Sequence, residues 1–232
     1  STGGYTGGFT SHPLNQYIIQ RGDTVELDMN MSSSSTMTLF SNGALVTSDT
    51  NVTNMSYDFL SGNYPAGLYQ FVLTATDGGQ NFSDTLNILS HGAAPTVPLP
   101  SYAQEGIHAL NDSTMYFQIR APYKKFIYLI GDFNDWQFLP AYQLNKTPAG
   151  DYFWIEITGL DKTTEYAFQY LIDEEMLRVS DPYVEKVLDP NNDQYISSST
   201  YPNLKAYPSG KTVGIAGVFQ IEETAYNWGT SN

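Results

Sequence analysis

The sequence predicts an all-β protein built from two tandem β-sandwich domains, and three observations lead to that prediction. Short segments alternate apolar and polar residues with a period of two, which is typical of strands that bury one face. Turn-forming residues separate these segments about every 8–12 residues, the spacing expected for the strands of a sandwich. No long segment carries the apolar stripe of an amphipathic helix.

The first domain is expected over residues 1–92. Residues 24–30 alternate polar positions with valine, leucine and methionine, and Asn42-Gly43 is a strong hairpin-turn signal. In residues 67–78, every second side chain from Tyr69 to position 75 is apolar. A tyrosine shortly after a glycine, at the start of a late strand, resembles the tyrosine corner of immunoglobulin-like sandwiches. No sequence pattern in this domain indicates a catalytic or binding site, so we expect a spacer or packing domain.

A proline-rich stretch divides the chain at residues 93–100, which contain three prolines. Proline cannot donate to a hydrogen-bonded ladder, so this stretch is predicted to be a stiff, extended linker. Residues 101–200 are expected to form the second domain. Its strands are predicted at residues 116–120, 125–130, 152–157 and 166–172.

The predicted fold class is therefore two tandem immunoglobulin-like β-sandwich domains in an all-β chain. Residues 201–232 are predicted to be a C-terminal extension. Within it, the apolar residues 211–220 are expected to supply an edge strand that returns to the second sandwich.

Composition excludes several classes of function. The 10 basic and 24 acidic residues give a net charge of −14, which opposes a phosphate backbone or an anionic membrane surface, so neither nucleic acid nor such a membrane is an expected partner. The absence of cysteine excludes disulfides, thiol catalysis and cysteine-based metal sites. The three histidines lack metal-ligand spacing, and no run of about 18 apolar residues could span a membrane. We expect no cofactor and no transmembrane segment.

An oxygen-rich run at residues 189–193 has the residue types that calcium prefers. It lacks the EF-hand pattern, and aspartate, asparagine and proline are also the ordinary formers of turns. A polar turn is the favoured interpretation, and no metal site is predicted.

Trp136 is the strongest candidate for a functional residue. It follows an apolar strand and lies among turn-forming polar residues, where an indole could lie flat at the surface. Sugar rings stack on aromatic planes while amides and carboxylates read their hydroxyl groups. The alternative is that Trp136 closes the end of the sandwich, because tryptophan is largely buried on average. An exposed indole beside Gln169 would favour sugar binding, and a buried one would favour a scaffold.

The run YLIGDFNDW at residues 128–136 resembles the strand–G–x–F–N–x–W signature of carbohydrate-binding module family 48. These modules are the early-set β-sandwich domains of α-amylase-family enzymes. The resemblance covers about residues 103–200, and the region after residue 181 is similar to the amino-terminal part of secreted Bacteroidetes α-amylases. In those enzymes an immunoglobulin-like domain and this module precede the catalytic barrel.

The resemblance implies a secreted, periplasmic or cell-surface protein whose chain stops before the catalytic barrel. The barrel of the same polypeptide would be its partner, and no hydrolytic activity is expected, since a retaining glycosidase needs two carboxylates across a sugar cleft. The adjacent acids Asp132 and Asp135 lie in a turn, where solvated charge is the favoured interpretation.

The resemblance also implies a set of binding residues. Trp136 matches the first stacking tryptophan, Gln169 falls on a lysine position, and the turn that should carry a second tryptophan has Met176 instead. The predicted carbohydrate-binding residues are Trp136, Asn134, Gln169, Met176, Leu188 and Asn192. With one platform, we expect weak binding of an α-glucan. The alternatives are a structural shoulder packed on the barrel and an adhesion or protein-binding sandwich.

Overall fold

A computed structural model describes residues 5–10, 16–173 and 176–222. These residues form β-strands and short 3₁₀ turns, with no α-helix among them. The fold-class prediction is therefore confirmed. None of the helical turns in the described ranges has the length or apolar character needed to cross a membrane. The chain divides into two compact units, Ser1–Gly92 and Ala93–Asn232.

Among its described residues, 5–10 and 16–92, the first unit has one 3₁₀ turn at Ser61–Asn63 and six strands. The strands are β1 (Gly7–Phe9), β2 (Gln16–Gln20), β3 (Thr24–Ser41), β4 (Ala44–Leu60), β5 (Gly67–Thr76) and β6 (Asn81–His91). They pair in the order β1-β3-β5-β6-β2, with β4 alongside β3. The β2–β6 pair is parallel, and the other pairs are antiparallel.

The long β3–β4 hairpin turns this continuous sheet into two layers. The register between β3 and β4 shifts between Asn30 and Ser35. Before that shift β3 pairs with β1, and after it β3 pairs with β5. The rings of Phe59 on β4 and Phe71 on β5 meet with centroids 5.1 Å apart, and both are almost fully buried. The two layers therefore enclose a common apolar core, as a sandwich requires.

Two local predictions for this unit are confirmed. Asn42 and Gly43 both have positive φ values, 47° and 80°, as a two-residue hairpin turn of the primed type requires. The hydroxyl of Tyr69 donates a hydrogen bond to the carbonyl of Pro65 at 2.6 Å. This return to the backbone a few residues upstream is the geometry of a tyrosine corner.

The second unit is a sandwich of two antiparallel sheets. Its strands are β7 (Gly106–Asn111), β8 (Thr114–Arg120), β9 (Ile127–Gly131), β10 (Asn145–Lys146), β11 (Tyr152–Ile157), β12 (Tyr166–Ile172), β13 (Leu177–Val179), β14 (Lys186–Leu188) and β15 (Ala216–Phe219). Its 3₁₀ turns are Asp132–Asn134, Pro140–Tyr142 and Asp193–Tyr195. One sheet has the order β10-β11-β8-β7. In the other, β9 pairs with one edge of β12, while β13 and β15 pair with its opposite edge.

Aromatic side chains join the two sheets of this unit. Phe117 on β8 contacts Phe168 on β12 edge-to-face at 5.2 Å between centroids, and it contacts Phe219 on β15 at 5.4 Å. Each of these rings is buried. Burying such a side chain contributes about 1.5–3 kcal/mol, so this aromatic cluster is a major source of the unit's stability.

Two parts of the chain differ from the sequence-based expectation. Residues 95–97, which were predicted to belong to a stiff, extended linker, pair with β10: the backbone N–H of Lys146 donates to the carbonyl of Pro95, and its carbonyl accepts from the N–H of Val97. In addition, β15 is not an edge strand, since it lies between β12 and β14. Residues 216–219 are therefore part of the second sandwich rather than part of an extension from it.

Candidate functional site

The loop that follows β9 is fixed by Asn134. Its side-chain oxygen accepts the N–H of Gly131 at 2.9 Å, and its amide donates to the carbonyl of Leu129 at 3.0 Å. Asn134 is only 8% exposed. These two bonds satisfy backbone groups at the end of the strand. The side chain therefore stabilises the loop and is not free to contact a ligand.

The expectation of an exposed Trp136 indole is wrong. The side chain is only 2% exposed, and its ring N–H donates to the Asp132 carboxylate at 2.9 Å. Asp135 and Trp136 both adopt left-handed backbone conformations, with φ of 53° and 61°. The N–H of Trp136 donates to the carbonyl of Gly131 at 2.8 Å, which holds this tight turn. Burial of an indole is favourable when its ring N–H keeps a hydrogen-bond acceptor, and Asp132 is that acceptor here.

Asp132 ties three segments of the second unit together. One carboxylate oxygen accepts from the indole of Trp136. The other accepts from the N–H of Ala167 on β12 at 2.9 Å and lies 3.0 Å from the ammonium of Lys205. The prediction that this carboxylate is solvated charge is wrong. The structure shows instead that it is a structural acceptor for a buried indole.

Gln169 is completely buried beneath residues 205–215, which we call the covering segment. Its amide donates to the carbonyls of Val213 at 2.9 Å and Ile215 at 2.8 Å. Its oxygen accepts the hydroxyl of Thr212 at 2.5 Å. Since the side chain is bonded to the covering segment through both its oxygen and its nitrogen, it presents no group to a sugar.

The other three predicted binding residues do not build an open face either. Met176 is buried at 8% exposure in the turn after β12, with φ of 51°, and Leu188 is fully buried in β14. Asn192 is exposed, and its amide donates to Asp189 at 2.6 Å. Five of the six predicted residues are thus buried.

The oxygen-rich loop uses its carboxylates for its own turn. Asp189 accepts from the N–H of Asn191 at 2.9 Å, and Asp193 accepts from the N–H of Asp189 at 3.0 Å. The first of these bonds is typical of an Asx turn, and the second closes the loop from its other end. Across residues 5–10, 16–173 and 176–222, no group of three or more histidine, aspartate or glutamate side chains is placed to hold a metal ion.

A buried titratable pair lies in the core of the second sandwich. The hydroxyl of Tyr170 donates to the carboxylate of Asp181 at 2.7 Å, and both side chains are almost fully buried. Burial raises the pKa of Tyr170 well above its ordinary value, and it also raises the pKa of Asp181. The N–H of Tyr183 donates to the second oxygen of Asp181 at 2.7 Å, so the carboxyl group is held on both sides. This pair anchors the loop after β13.

Comparisons with known proteins give similarity to solved structures only. No protein-family model matches the chain, and no curated protein matches it. The fibronectin(III)-like modules of Clostridium thermocellum CbhA match at 15% identity and a TM-score of 0.30, over 38% of this chain and 98% of that one. A chimeric titin Z1Z2 tandem matches at 14% identity and a TM-score of 0.32, over 71% of this chain and 91% of that one. The pullulanase SAP of Group B Streptococcus matches at 12% identity and a TM-score of 0.30, over 76% of this chain and 24% of that one.

Proposed function

We propose that this chain is a non-catalytic accessory region of an α-amylase-type enzyme, and that its Trp136 loop serves the architecture of the second sandwich rather than sugar binding. The observation that carries the architectural role is the inward hydrogen bonding of Trp136 and Gln169, both of which are buried. The enzyme class is supported by the resemblance of residues 128–136 to the family-48 signature.

The energetics favour architecture over a glucan platform at this face. By analogy with the stacking of nucleic-acid bases, stacking of one sugar ring on an aromatic side chain contributes about 1–3 kcal/mol. Access to Gln169 would require the loss of its three hydrogen bonds to the covering segment. Leaving even one buried polar group unpaired costs about 1–3 kcal/mol, so the exchange is unfavourable.

The two carboxylates in the loop that follows β9 also fit a structural role. Asp132 is paired with Lys205, and Asp135 is paired with Lys211. A retaining glycosidase instead directs two carboxylates, about 5–5.5 Å apart, at a sugar cleft. We therefore propose no hydrolytic activity for this chain.

The partner and the location follow from the same resemblance. We propose that the second sandwich works beside the catalytic barrel of the same polypeptide, as a structural shoulder, and that the protein is exported. Mass spectrometry of the native secreted protein and its tryptic peptides tests this, since the proposal predicts barrel peptides on the same chain.

Affinity electrophoresis in amylopectin gels tests the architectural role of Trp136. Trp136→Phe keeps an aromatic ring but removes the N–H that bonds to Asp132. We expect this variant to unfold at a lower temperature than the wild type and to migrate like it in gels with and without amylopectin. The proposal would be contradicted if amylopectin retarded the wild type but not Trp136→Phe, while the two proteins unfolded at the same temperature. That result would favour a sugar platform at Trp136.

A further inference from the structure

An open cavity lies in the second unit, between the start of β12 and the residues just before the covering segment. It is lined by Glu165, Tyr201, Pro202 and Asn203 and has a volume of about 440 Å³. Glu165 precedes β12, whereas the other three residues come just before the covering segment. The volume falls within the range of about 300–1,000 Å³ that is typical of small-molecule sites. None of the four lining residues belongs to the set predicted from the sequence.

Lys186, the first residue of β14, contacts two of the residues that line this cavity, Glu165 and Tyr201. Its ammonium lies 2.5 Å from the Glu165 carboxylate and 4.8 Å from the centroid of the Tyr201 ring. Although burial favours the neutral amine, hydrogen bonds with Glu165 and Tyr201 raise the pKa of Lys186 above its ordinary value. The lysine therefore keeps its charge, and one ion pair and one cation–π contact fix an aromatic ring beside a carboxylate.

We propose that this cavity binds one pyranose ring of a neutral oligosaccharide. The ring of Tyr201 belongs to a residue that is 45% exposed, so it can stack against the C–H face of a sugar. The carboxylate of Glu165, held in place by Lys186, would accept hydrogen bonds from sugar hydroxyls, and the amide of Asn203 can both donate to them and accept from them. A pyranose needs this combination, because it carries an apolar face and a rim of hydroxyl groups.

Charge and polarity exclude the other common classes of ligand. The lining residues include no basic side chain, the nearby Lys186 is paired with Glu165, and the chain as a whole carries a charge of −14, so an anionic ligand would meet no unpaired cation there. A purely apolar ligand would leave the carboxylate and the amide without water or a partner. A neutral polyhydroxylated ring satisfies both conditions.

This inference goes beyond the architectural role proposed for Trp136. The two depend on different residues: Trp136 and Gln169 are buried, whereas Tyr201 opens to solvent. Binding at Tyr201 would make the second sandwich a contact point for a polysaccharide, while the Trp136 loop holds its fold. Failure of either proposal leaves the other standing.

Nuclear magnetic resonance titration of the full chain tests the proposal directly. The probes are maltoheptaose, cellohexaose, xylohexaose and mannohexaose at millimolar concentration, with trigalacturonate as an anionic comparison. We expect at least one neutral probe to give saturable shifts at the backbone amides of Glu165, Lys186, Tyr201 and Asn203. Trigalacturonate is expected to give none at these positions.

Matched variants separate specific binding from a general surface effect. Tyr201→Ala should weaken binding by about 5- to 150-fold, the loss expected for one stacking contact. Tyr195→Ala removes a tyrosine that is 79% exposed and does not line the cavity, so it should bind like the wild type. Absence of shifts with all four neutral probes, binding of trigalacturonate alone, or equal affinity of Tyr201→Ala and wild type would each overturn the proposal.

Discussion

The indole N–H of Trp136 donates to the carboxylate of Asp132 at 2.9 Å, and the Trp136 side chain is buried within the second sandwich. The same carboxylate also receives the N–H of Ala167 from β12 and the ammonium of Lys205. A side chain that would have to be exposed to stack on sugar is instead held inside the second sandwich. The loop that follows β9 therefore positions β9, β12 and the covering segment relative to one another.

Removal of the Asp132 acceptor is expected to destabilise the second unit. Asp132→Ala leaves the indole N–H of Trp136 and the N–H of Ala167 without a protein acceptor, which should lower the free energy of unfolding by about 2–4 kcal/mol. Urea denaturation measures this loss. Asp135→Ala is the matched control, because its side chain is 67% exposed and its pairing with Lys211 is screened by solvent. Equal stability of the two variants would refute the role given to Asp132.

The buried Asp181 should give the protein a characteristic dependence on pH. Burial raises the pKa of its carboxyl above the ordinary 3.8, although hydrogen bonds from Tyr170 and Tyr183 act in the opposite direction. The folded protein thus holds this proton more tightly than the unfolded chain. The stabilisation is complete below pH 3.8 and is lost as the pH rises through the raised folded value.

Asp181→Asn removes this titration and provides the measurement. The stability of the variant relative to wild type should improve as the pH is raised from about 3 to 7, when urea unfolding is compared at each pH. A difference that stays constant, or that moves in favour of the wild type, would show that the pKa of Asp181 is not raised in the folded state.

Gly106 is expected to tolerate alanine poorly because of Tyr183. Its φ is +90°, and a Cβ atom there would lie 2.9 Å from the Cβ of Tyr183. Gly159 has a comparable φ of +77° but open space within 4 Å. We expect Gly159→Ala to cost about 1 kcal/mol through backbone strain alone, and Gly106→Ala to cost at least about 1 kcal/mol more. Equal unfolding free energies would show that Tyr183 moves aside without cost.

A chain that ends at residue 200 should lose much of the stability of its second unit. It would lack β15, which pairs with both β12 and β14, and the buried ring of Phe219. Loss of a buried phenylalanine alone costs about 3–5 kcal/mol, so the second unit should melt at least about 10 °C lower than in a chain that ends at residue 222. Identical melting of the two chains would mean that β15 is dispensable.

The sequence predicted those features that short stretches of chain determine. The Asn42-Gly43 turn and the Tyr69 corner depend on residues within a few positions, and both were recognised. The all-β class followed from local alternation for the same reason. Local turn chemistry and a period of two need no knowledge of distant contacts.

The exposure of the candidate site depended on distant residues and could not be predicted. Gln169 is covered by Val213 and Ile215, which come 44 and 46 positions later in the chain. Asp135 pairs with Lys211, which is 76 positions away. No periodicity links such positions. The cavity beside Tyr201 was missed for the same reason, because Glu165, Lys186 and Asn203 come from three separate segments.

Fluorescence of Trp136 in isolation tests its buried, architectural role most directly. The chain has three tryptophans, so Trp154→Phe combined with Trp228→Phe leaves Trp136 as the only tryptophan, whose emission is then excited selectively over that of tyrosine. We predict blue-shifted emission and weak quenching by acrylamide, both unchanged by millimolar maltoheptaose. Red-shifted emission with strong quenching that maltoheptaose suppresses would contradict the structure and restore Trp136 as a sugar platform.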